Sequence, residues 1–264
     1  MAKVFVISKR SLSQILLGLT VVLLCFGVFQ TSFFGTASEA VNVLVSNTKL
    51  KPIYYVDTQE KKIAISFDAT WGAEYTPKIL EILEQNNIKT TFFLTNIWLK
   101  EYPDVAKTIR EKGHEIAMHS VTHPHLNSLS EAQILEELQG NARMIKEITD
   151  YDAKLFRPPF GEYNNKVIKV IQDAGYIPIQ WSVDSLDWKE NMTKQDIVNR
   201  VTNGIHPGAI VLFHNNGTYT ADALEDIIKF AFEKGYQIIP VSELIYKDNY
   251  YVNIQGAQKL KGAN

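Results

Sequence analysis

Short apolar runs separated by amphipathic segments fill the chain from residue 61 onward. Such runs are typical of buried parallel strands, because helices cover both faces of a parallel sheet. The predicted strands, in chain order, are residues 62–67, 90–94, 115–118, 155–157, 176–181, 209–213 and 237–241, with a short first strand at 53–56.

The segments between these strands carry apolar residues at helical spacing. In the longest one, residues 131–148, Ile134, Leu138 and Ile145 fall on one face and Ser130 stands at the N-cap position. The other predicted helices are residues 76–85, 104–112, 165–174, 195–203 and 222–234. The alternation predicts an α/β fold with a parallel sheet. We expect an irregular (β/α) barrel of about seven to eight parallel strands, because about 185 residues are few for a complete eightfold barrel.

A different pattern occupies the start of the chain. Residues 15–34 contain no charge and follow a stretch with Lys3, Lys9 and Arg10 but no acid, which suits a membrane-spanning helix with its positive flank in the cytoplasm. A signal peptide cleaved after Ala40 is the alternative. We favour the uncleaved anchor, with the remainder at the cell membrane on the extracytoplasmic side; cleavage would give a secreted protein.

These patterns divide the chain into four parts. Residues 1–40 form the anchor or signal peptide, residues 41–60 a stem with the first short strand, residues 61–245 the main domain, and residues 246–264 a polar tail that we expect to be peripheral. The formal net charge of −2 gives no reason to expect a nucleic-acid partner. The single cysteine, Cys25, lies in the apolar segment, so there is no disulfide framework, and we expect a monomer.

Polar residues follow five of the predicted strands, where function collects in parallel α/β folds. In chain order these residues are Asp68, the pair His119 and His123, Arg157, the pair Asp184 and Asp187, and His214. Two histidines four residues apart can bind one metal ion. Each residue also has a structural interpretation: a strand-end or helix cap for the aspartates, a surface ion pair for the arginine, and half-buried histidines bonded to backbone. Their convergence on one mouth favours function.

Five ordered motifs carry a resemblance to a known family. They are Ser66-Phe67-Asp68, His119-Ser120-Val121-Thr122-His123, Arg157-Pro158-Pro159-Phe160-Gly161, Asp184-Ser185-Leu186-Asp187-Trp188 and Leu212-Phe213-His214. In this order, over residues 61–241, the chain resembles the polysaccharide deacetylases (carbohydrate esterase family 4, the NodB homology domain), in particular their sporulation-type members.

The resemblance implies an activity and a role for each motif residue. The family removes N-acetyl groups from glycans, here the amino sugars of a cell wall, with a divalent metal that we expect to be zinc, held by His119 and His123. Asp68 would be the general base and His214 the proton donor, with Arg157 and Asp187 as their respective partners. A backbone N–H near Phe160 and Gly161 would bind the oxyanion, and Trp188 and Leu212 would line the substrate pocket.

One position departs from the family pattern. Its first motif normally carries two adjacent aspartates, a base and a metal ligand, whereas this chain has Asp68 followed by Ala69. Either Asp68, Glu74 or His125 completes the three-ligand shell that catalytic zinc usually has, or metal binding is weak or absent. A glycan-binding or wall-architecture protein without activity, and an esterase for O-acetyl groups of a plant-type polysaccharide, are therefore alternatives.

Overall fold

The computed structural model describes residues 49–262, which form a long parallel main sheet covered by helices and a small three-stranded sheet. The strands are β1 (Tyr55–Val56), β2 (Lys62–Ala69), β3 (Thr91–Leu94), β4 (Glu115–Met118), β5 (Leu155–Phe156), β6 (Ile177–Pro178), β7 (Val183–Asp184), β8 (Ile210–His214), β9 (Gln237–Ile238), β10 (Tyr250–Val252) and β11 (Ala257–Leu260). The helices are α1 (Thr76–Gln85), α2 (Asn96–Glu101), α3 (Pro103–Glu111), α4 (Glu131–Thr149), α5 (Asn165–Asp173), α6 (Lys194–Gly204), α7 (Thr220–Glu233) and α8 (Val241–Leu244).

The main sheet has the order β6-β5-β4-β3-β2-β8-β7, and β9 pairs with the start of β2. Every pair in it is parallel. The prediction of an irregular (β/α) barrel of seven to eight parallel strands is confirmed. Because the carboxyl ends of these strands share one edge, the residues that follow them are brought together.

Alternation along β2 sorts its side chains onto two faces. Ile63, Ile65 and Phe67 pack in a cluster with residues of the helices, whereas Ala64 belongs to a second cluster built from strand residues such as Phe93. Since successive strand residues point to opposite faces, Ser66 and Asp68 lie on the face of Ala64. The pattern of β2 therefore directs its polar residues into the barrel.

The chain before β2 closes the gap between the two ends of the main sheet. Ile53 forms a bridge with Ile179 beyond β6, and Tyr55 forms one with Ala209 before β8. Gly208 has φ 77°, and a Cβ at this position would lie 1.9 Å from the Val56 carbonyl oxygen, so this close approach requires glycine.

The segment predicted as a peripheral polar tail is part of this closure. Its two strands pair antiparallel with each other, and β11 pairs parallel with β1 through the partners Tyr55–Ala257 and Val56–Gln258. Both Ala257 and Gln258 are buried, and Gln258 exchanges hydrogen bonds with the backbone of Tyr246. The expectation of a peripheral tail is wrong, because a local polar pattern does not reveal a long-range strand partner.

Other element boundaries differ in detail. Residues 239–241 do not extend the last predicted strand; Pro240 ends the extended stretch and α8 follows. The predicted strand at 176–181 is limited to Ile177–Pro178, and the short helix α2 was not predicted. Ser130 caps α4 as predicted, in a capping box with Gln133.

The apolar stretch 15–34 and the cleavage position at Ala40 lie outside the described residues. Within residues 49–262, no helix is long and apolar enough to cross a membrane.

Candidate active site

Asp68 lies near the carboxyl end of β2 and forms a buried ion pair with Arg157. The Nη1 atom of Arg157 donates to Oδ1 of Asp68 at 2.5 Å, and its Nη2 donates to Oγ of Ser66 at 2.9 Å. Burial alone would raise the pKa of Asp68, but the charge and hydrogen bond of Arg157, together with the nearby His119 and His214, hold that pKa below its usual value. Asp68 is therefore a carboxylate at neutral pH, the form that a general base requires.

His119 follows β4 and lies beside this ion pair. Its Nδ1–H donates to the carbonyl oxygen of Arg157 at 2.7 Å, which leaves Nε2 free of the proton and 3.5 Å from Oδ2 of Asp68. Burial lowers the pKa of His119 despite the nearby Asp68 carboxylate. The imidazole is thus neutral, as a metal ligand must be.

His123 lies beside His119 at the end of a tight loop. The two ring centroids are 5.0 Å apart, and the His123 ring also contacts the rings of Phe160 and Trp71. Burial lowers the pKa of His123 to about 3, so this imidazole is neutral as well. Its Nδ1 atom is buried and has no hydrogen-bond partner in the described part of the chain. The pair expected from its spacing is formed.

The donor set for a metal ion is one ligand short of a complete catalytic zinc site. Among residues 49–262, no group of three or more His, Cys, Asp or Glu side chains is arranged to hold a metal ion. Ala69 is fully buried in the helix-side cluster and supplies no ligand. The two imidazoles suit a divalent ion such as zinc, with Asp68 as the carboxylate nearest to them.

The other candidates for a third ligand lie elsewhere. Nδ1 of His125 is 3.0 Å from Oε2 of Glu162, and its ring stacks on Phe160 with centroids 4.4 Å apart. Neither His125 nor Glu74 lines the cavity described below. His114 precedes β4 and so lies at the opposite end of this strand from His119.

His214 ends β8, where it is the register partner of Asp68 in the adjacent strand. Its Nδ1 lies 2.8 Å from Oδ1 of Asp187, and its backbone N–H donates to Oδ2 of the same carboxylate. Burial would lower the pKa of His214, but the hydrogen bond and charge of Asp187, together with the charges of Asp68 and Asp184, raise that pKa. The imidazolium form is thereby favoured, which suits a general acid.

Two supporting residues were missed by sequence reasoning. The hydroxyl of Thr220, the first residue of α7, donates to Oδ2 of Asp187 at 2.6 Å. A Cβ at Gly217 would lie 2.2 Å from Oγ1 of Thr220, so glycine permits this approach. Ser66 was noted only as part of a motif, although it receives the second bond from Arg157. A small or hydroxyl residue next to a motif carries no sequence signal of its own.

The turn after β5 places Phe160 and Gly161 beside the candidate site. Phe160 has φ 58°, a left-handed conformation that is uncommon for a side-chain-bearing residue. The N–H groups of Gly161 and Glu162 donate to the carbonyl oxygens of Pro158 and Pro159 within this turn. The oxyanion donor expected near Phe160 stays a prediction.

These residues surround one cavity of about 580 Å³. Its lining contains Asp68, Thr70, Trp71, His119, His123, Phe160, Gly161, Trp181, Asp184, Trp188, Leu212, His214 and Asn216. Arg157 and Asp187 stand behind the lining and contact it through Asp68 and His214. Three of the lining rings, those of Trp71, Phe160 and Trp188, are more than half exposed. Trp71 and the less exposed Trp181 also line the cavity, and neither was predicted from the sequence to do so.

Comparison with known proteins identifies the family. The family model for polysaccharide deacetylases matches residues 55–179. The peptidoglycan-N-acetylmuramic acid deacetylase PdaA of Bacillus subtilis is 33% identical over 214 residues, which cover 80% of this chain and 81% of the relative.

Solved structures give the same result. The CE4 family pseudoenzyme BA3943 from Bacillus anthracis superposes with a TM-score of 0.70 at 38% identity, covering 73% of this chain and 68% of that one. A mutant of BA3943 with restored enzymatic activity superposes equally, at 39% identity over 73% of this chain and 70% of the mutant. The chain therefore belongs to the polysaccharide deacetylase family, carbohydrate esterase family 4.

Proposed function

We propose that this protein removes N-acetyl groups from the amino sugars of cell-wall glycan of the peptidoglycan type. The observation that carries the proposal is the arrangement of two register partners that line one cavity: Asp68 is paired with Arg157, and His214 is paired with Asp187. Amide hydrolysis needs both a base and an acid, because water must lose a proton and the leaving amine must gain one.

The chain's own residues account for both proton transfers. Asp68 takes a proton from water as the water oxygen bonds to the acetyl carbon, and the Phe160 N–H donates to the developing oxyanion. His214 then protonates the sugar nitrogen as the C–N bond breaks, which releases acetate and the free amine. Arg157 keeps Asp68 ionised and Asp187 orients His214.

Members of this family are generally metal-dependent, and His119 and His123 would hold the ion. Zinc is the expected metal, bound less tightly than in a three-ligand site. When bound, such an ion polarises the acetyl carbonyl and makes a water molecule more acidic.

The exposed rings around the cavity support a glycan substrate, and the start of the chain supports an exported protein. The exposed rings of Trp71, Phe160 and Trp188 at the mouth suit stacking on sugar faces. PdaA acts on peptidoglycan N-acetylmuramic acid, as its name states. The uncharged stretch 15–34 supports retention at the cell membrane with the domain outside the cytoplasm, and the resemblance to sporulation-type members supports a role in sporulation.

A second function is favoured by Ala69. Without the usual ligand at this position, the protein would bind glycan at the same cavity without hydrolysing it. The similarity to a pseudoenzyme of the family supports this alternative.

Acetate release separates the two functions. The wild type would be incubated with N-acetylglucosamine oligomers and with peptidoglycan, with zinc, cobalt or nickel added, and glycan binding would be measured in parallel. Asp68→Asn is the control for contaminating activity. Release above this control supports the deacetylase; binding without release supports the glycan-binding protein; release from O-acetylated xylan alone would contradict both.

A further inference from the structure

The backbone of the loop between His119 and His123 is held by one face of helix α4. Four consecutive N–H groups, those of residues 119–122, donate to two side-chain oxygens of this face, and that of His119 also donates to the Leu94 carbonyl oxygen at 3.1 Å. Oδ1 of Asn141 accepts the first two at 2.8 and 3.1 Å, and Oε2 of Glu137 accepts the next two at 2.8 and 2.9 Å. The fifth N–H, that of His123, donates to Oγ of Ser120 within the loop.

Each of the two side chains is itself fixed. Asn141 is fully buried, and its Nδ2 donates to the Leu94 carbonyl at 3.0 Å and to Oδ1 of Asn96 at 2.7 Å. The remaining oxygen of Glu137 accepts the hydroxyl of Thr122 at 2.8 Å. Residues 137 and 141 are one helical turn apart and so share a face of α4.

Between them, Gly140 lets the helix approach the loop. A Cβ at this position would lie 2.8 Å from Cγ2 of Val121. The Gly140 carbonyl also accepts Nδ2 of Asn96 at 3.2 Å, which ties the same turn of α4 to α2.

The loop would not hold this shape by itself. Ser120 has φ 80° and His123 has φ 55°, a region that side-chain-bearing residues enter only when their surroundings impose it. The N–H groups of residues 119 and 120 are also shielded from water, so they need acceptors within the protein. Helix α4 supplies the acceptors at the spacing that the loop requires.

We propose that Glu137 and Asn141 are positioning residues, which hold the His119 and His123 imidazoles at their separation before any ligand binds. This role rests on the proposed function in one respect, namely that the two imidazoles bind the metal ion. Neither residue lines the cavity. Loss of either acceptor releases N–H groups of the loop, and the imidazole separation then varies.

Two variants of Glu137 test the role as an acceptor. Glu137→Ala removes the acceptor for residues 121 and 122. Glu137→Gln keeps one oxygen for these two N–H groups, removes the charge and replaces the oxygen that accepts the Thr122 hydroxyl with an NH2 group. Glu136→Ala is the matched control, because Glu136 is exposed on the same helix one position away. Asn141→Ala removes the other acceptor, and circular dichroism is used to check that this variant folds.

The first measurement is amide hydrogen exchange in the full chain without metal. We expect exchange of residues 121 and 122 to quicken about tenfold or more in Glu137→Ala and to stay near the wild-type rate in Glu137→Gln and Glu136→Ala. Unchanged exchange in Glu137→Ala overturns the proposal, and so does equal quickening in Glu137→Gln, because charge rather than the acceptor would then be responsible.

The second measurement is zinc binding by calorimetry. Glu137→Ala should weaken binding about tenfold and Glu137→Gln should restore it. If the wild type binds no zinc, the proposed metal site fails, and hydrogen exchange still decides whether Glu137 and Asn141 hold the loop.

Discussion

The guanidinium of Arg157 is fully buried and donates to Asp68 over 2.5 Å, and the side chain of Asp68 is itself only 6% exposed. Removing one member of such a pair leaves an uncompensated buried charge, which costs about 3–5 kcal/mol. The pair therefore links stability to the candidate chemistry, and changes at Asp68 must be examined for both.

The first prediction concerns acid and base. Asp68→Asn and His214→Ala should each lower turnover on N-acetylated glycan at least about a hundredfold, the usual contribution of a general acid or base. The double variant should lose little more than either single one, because both residues serve one transition state. Acetate release measures this, and fully additive losses would contradict a shared step.

The stability of the Asp68 variant must be measured together with its activity. Asp68→Asn should lower the free energy of unfolding by about 3 kcal/mol because Arg157 loses its counter-charge. Asp173→Asn, which breaks an exposed ion pair with Lys169, is the matched control and should leave stability nearly unchanged. Urea titration distinguishes a folded variant without activity from an unfolded one.

The second prediction concerns Ala69→Asp. The added carboxylate should tighten zinc binding at least about tenfold and raise acetate release, because it supplies the missing ligand. Since Ala69 is fully buried, the metal-free variant should also be less stable than the wild type, and zinc should raise its Tm by more.

Ala69→Asn is the control for shape without charge, and it should give a smaller gain in affinity. If Ala69→Asp binds zinc no better than the wild type, the shell is completed by another residue, and Asp68 is the nearest carboxylate to test.

The third prediction concerns the histidine pair. His123→Ala should abolish measurable zinc binding in calorimetry, because one imidazole alone is a weak site. His125→Ala should bind as the wild type does, since its ring lies against Phe160 and its Nδ1 beside Glu162. Equal binding by wild type and His123→Ala would move the metal site away from this loop.

The fourth prediction concerns acid stability. His114 is buried, its Nδ1 accepts the Thr90 N–H at 3.2 Å, and burial together with Lys89 and Lys112 lowers its pKa from 6.5 to about 4. The unfolded chain therefore binds a proton between pH 6.5 and 4 that the folded protein does not, so stability is lost as the pH falls.

This loss of unfolding free energy should be about 3 kcal/mol between pH 7 and pH 4, because stability falls by about 1.4 kcal/mol for each pH step of one across this window. His114→Asn keeps an acceptor for Thr90 and removes the titration, so its unfolding free energy should fall less over this range. If the unfolding free energies of the wild type and of His114→Asn fall equally as the pH is lowered, His114 contributes nothing to acid unfolding.

The fifth prediction concerns the start of the chain. If residues 15–34 remain as an anchor, the protein should sediment with membranes and resist carbonate or high-salt washing, because apolar burial is not screened by ions. A protein starting at residue 41 is the control and should be released. Recovery of the full gene product as a soluble form that begins at Val41 would show cleavage after Ala40.

The sequence predicted the parallel barrel and the principal residues of the site, because both follow from strand periodicity and from what stands at strand ends. Asp68, His119 and His214 stand within one or two positions of a recognisable apolar run. Thr220, Glu137 and Asn141 could not be found this way. They act through contacts with residues 15 to 33 positions away, and on their own helices they look like ordinary polar residues.

The domain can finish folding only after β11 has been synthesised, because β11 is a strand partner of β1. Tyr55 and Ala257 are register partners about 200 residues apart, so this pairing forms only after almost the whole chain has been synthesised. The bridges of Ile53 and Tyr55 to Ile179 and Ala209 form earlier, because both partners precede β11 by more than 40 residues. A chain that stops short of residue 257 would leave β1 without β11, and we expect proteases to reach this open strand edge.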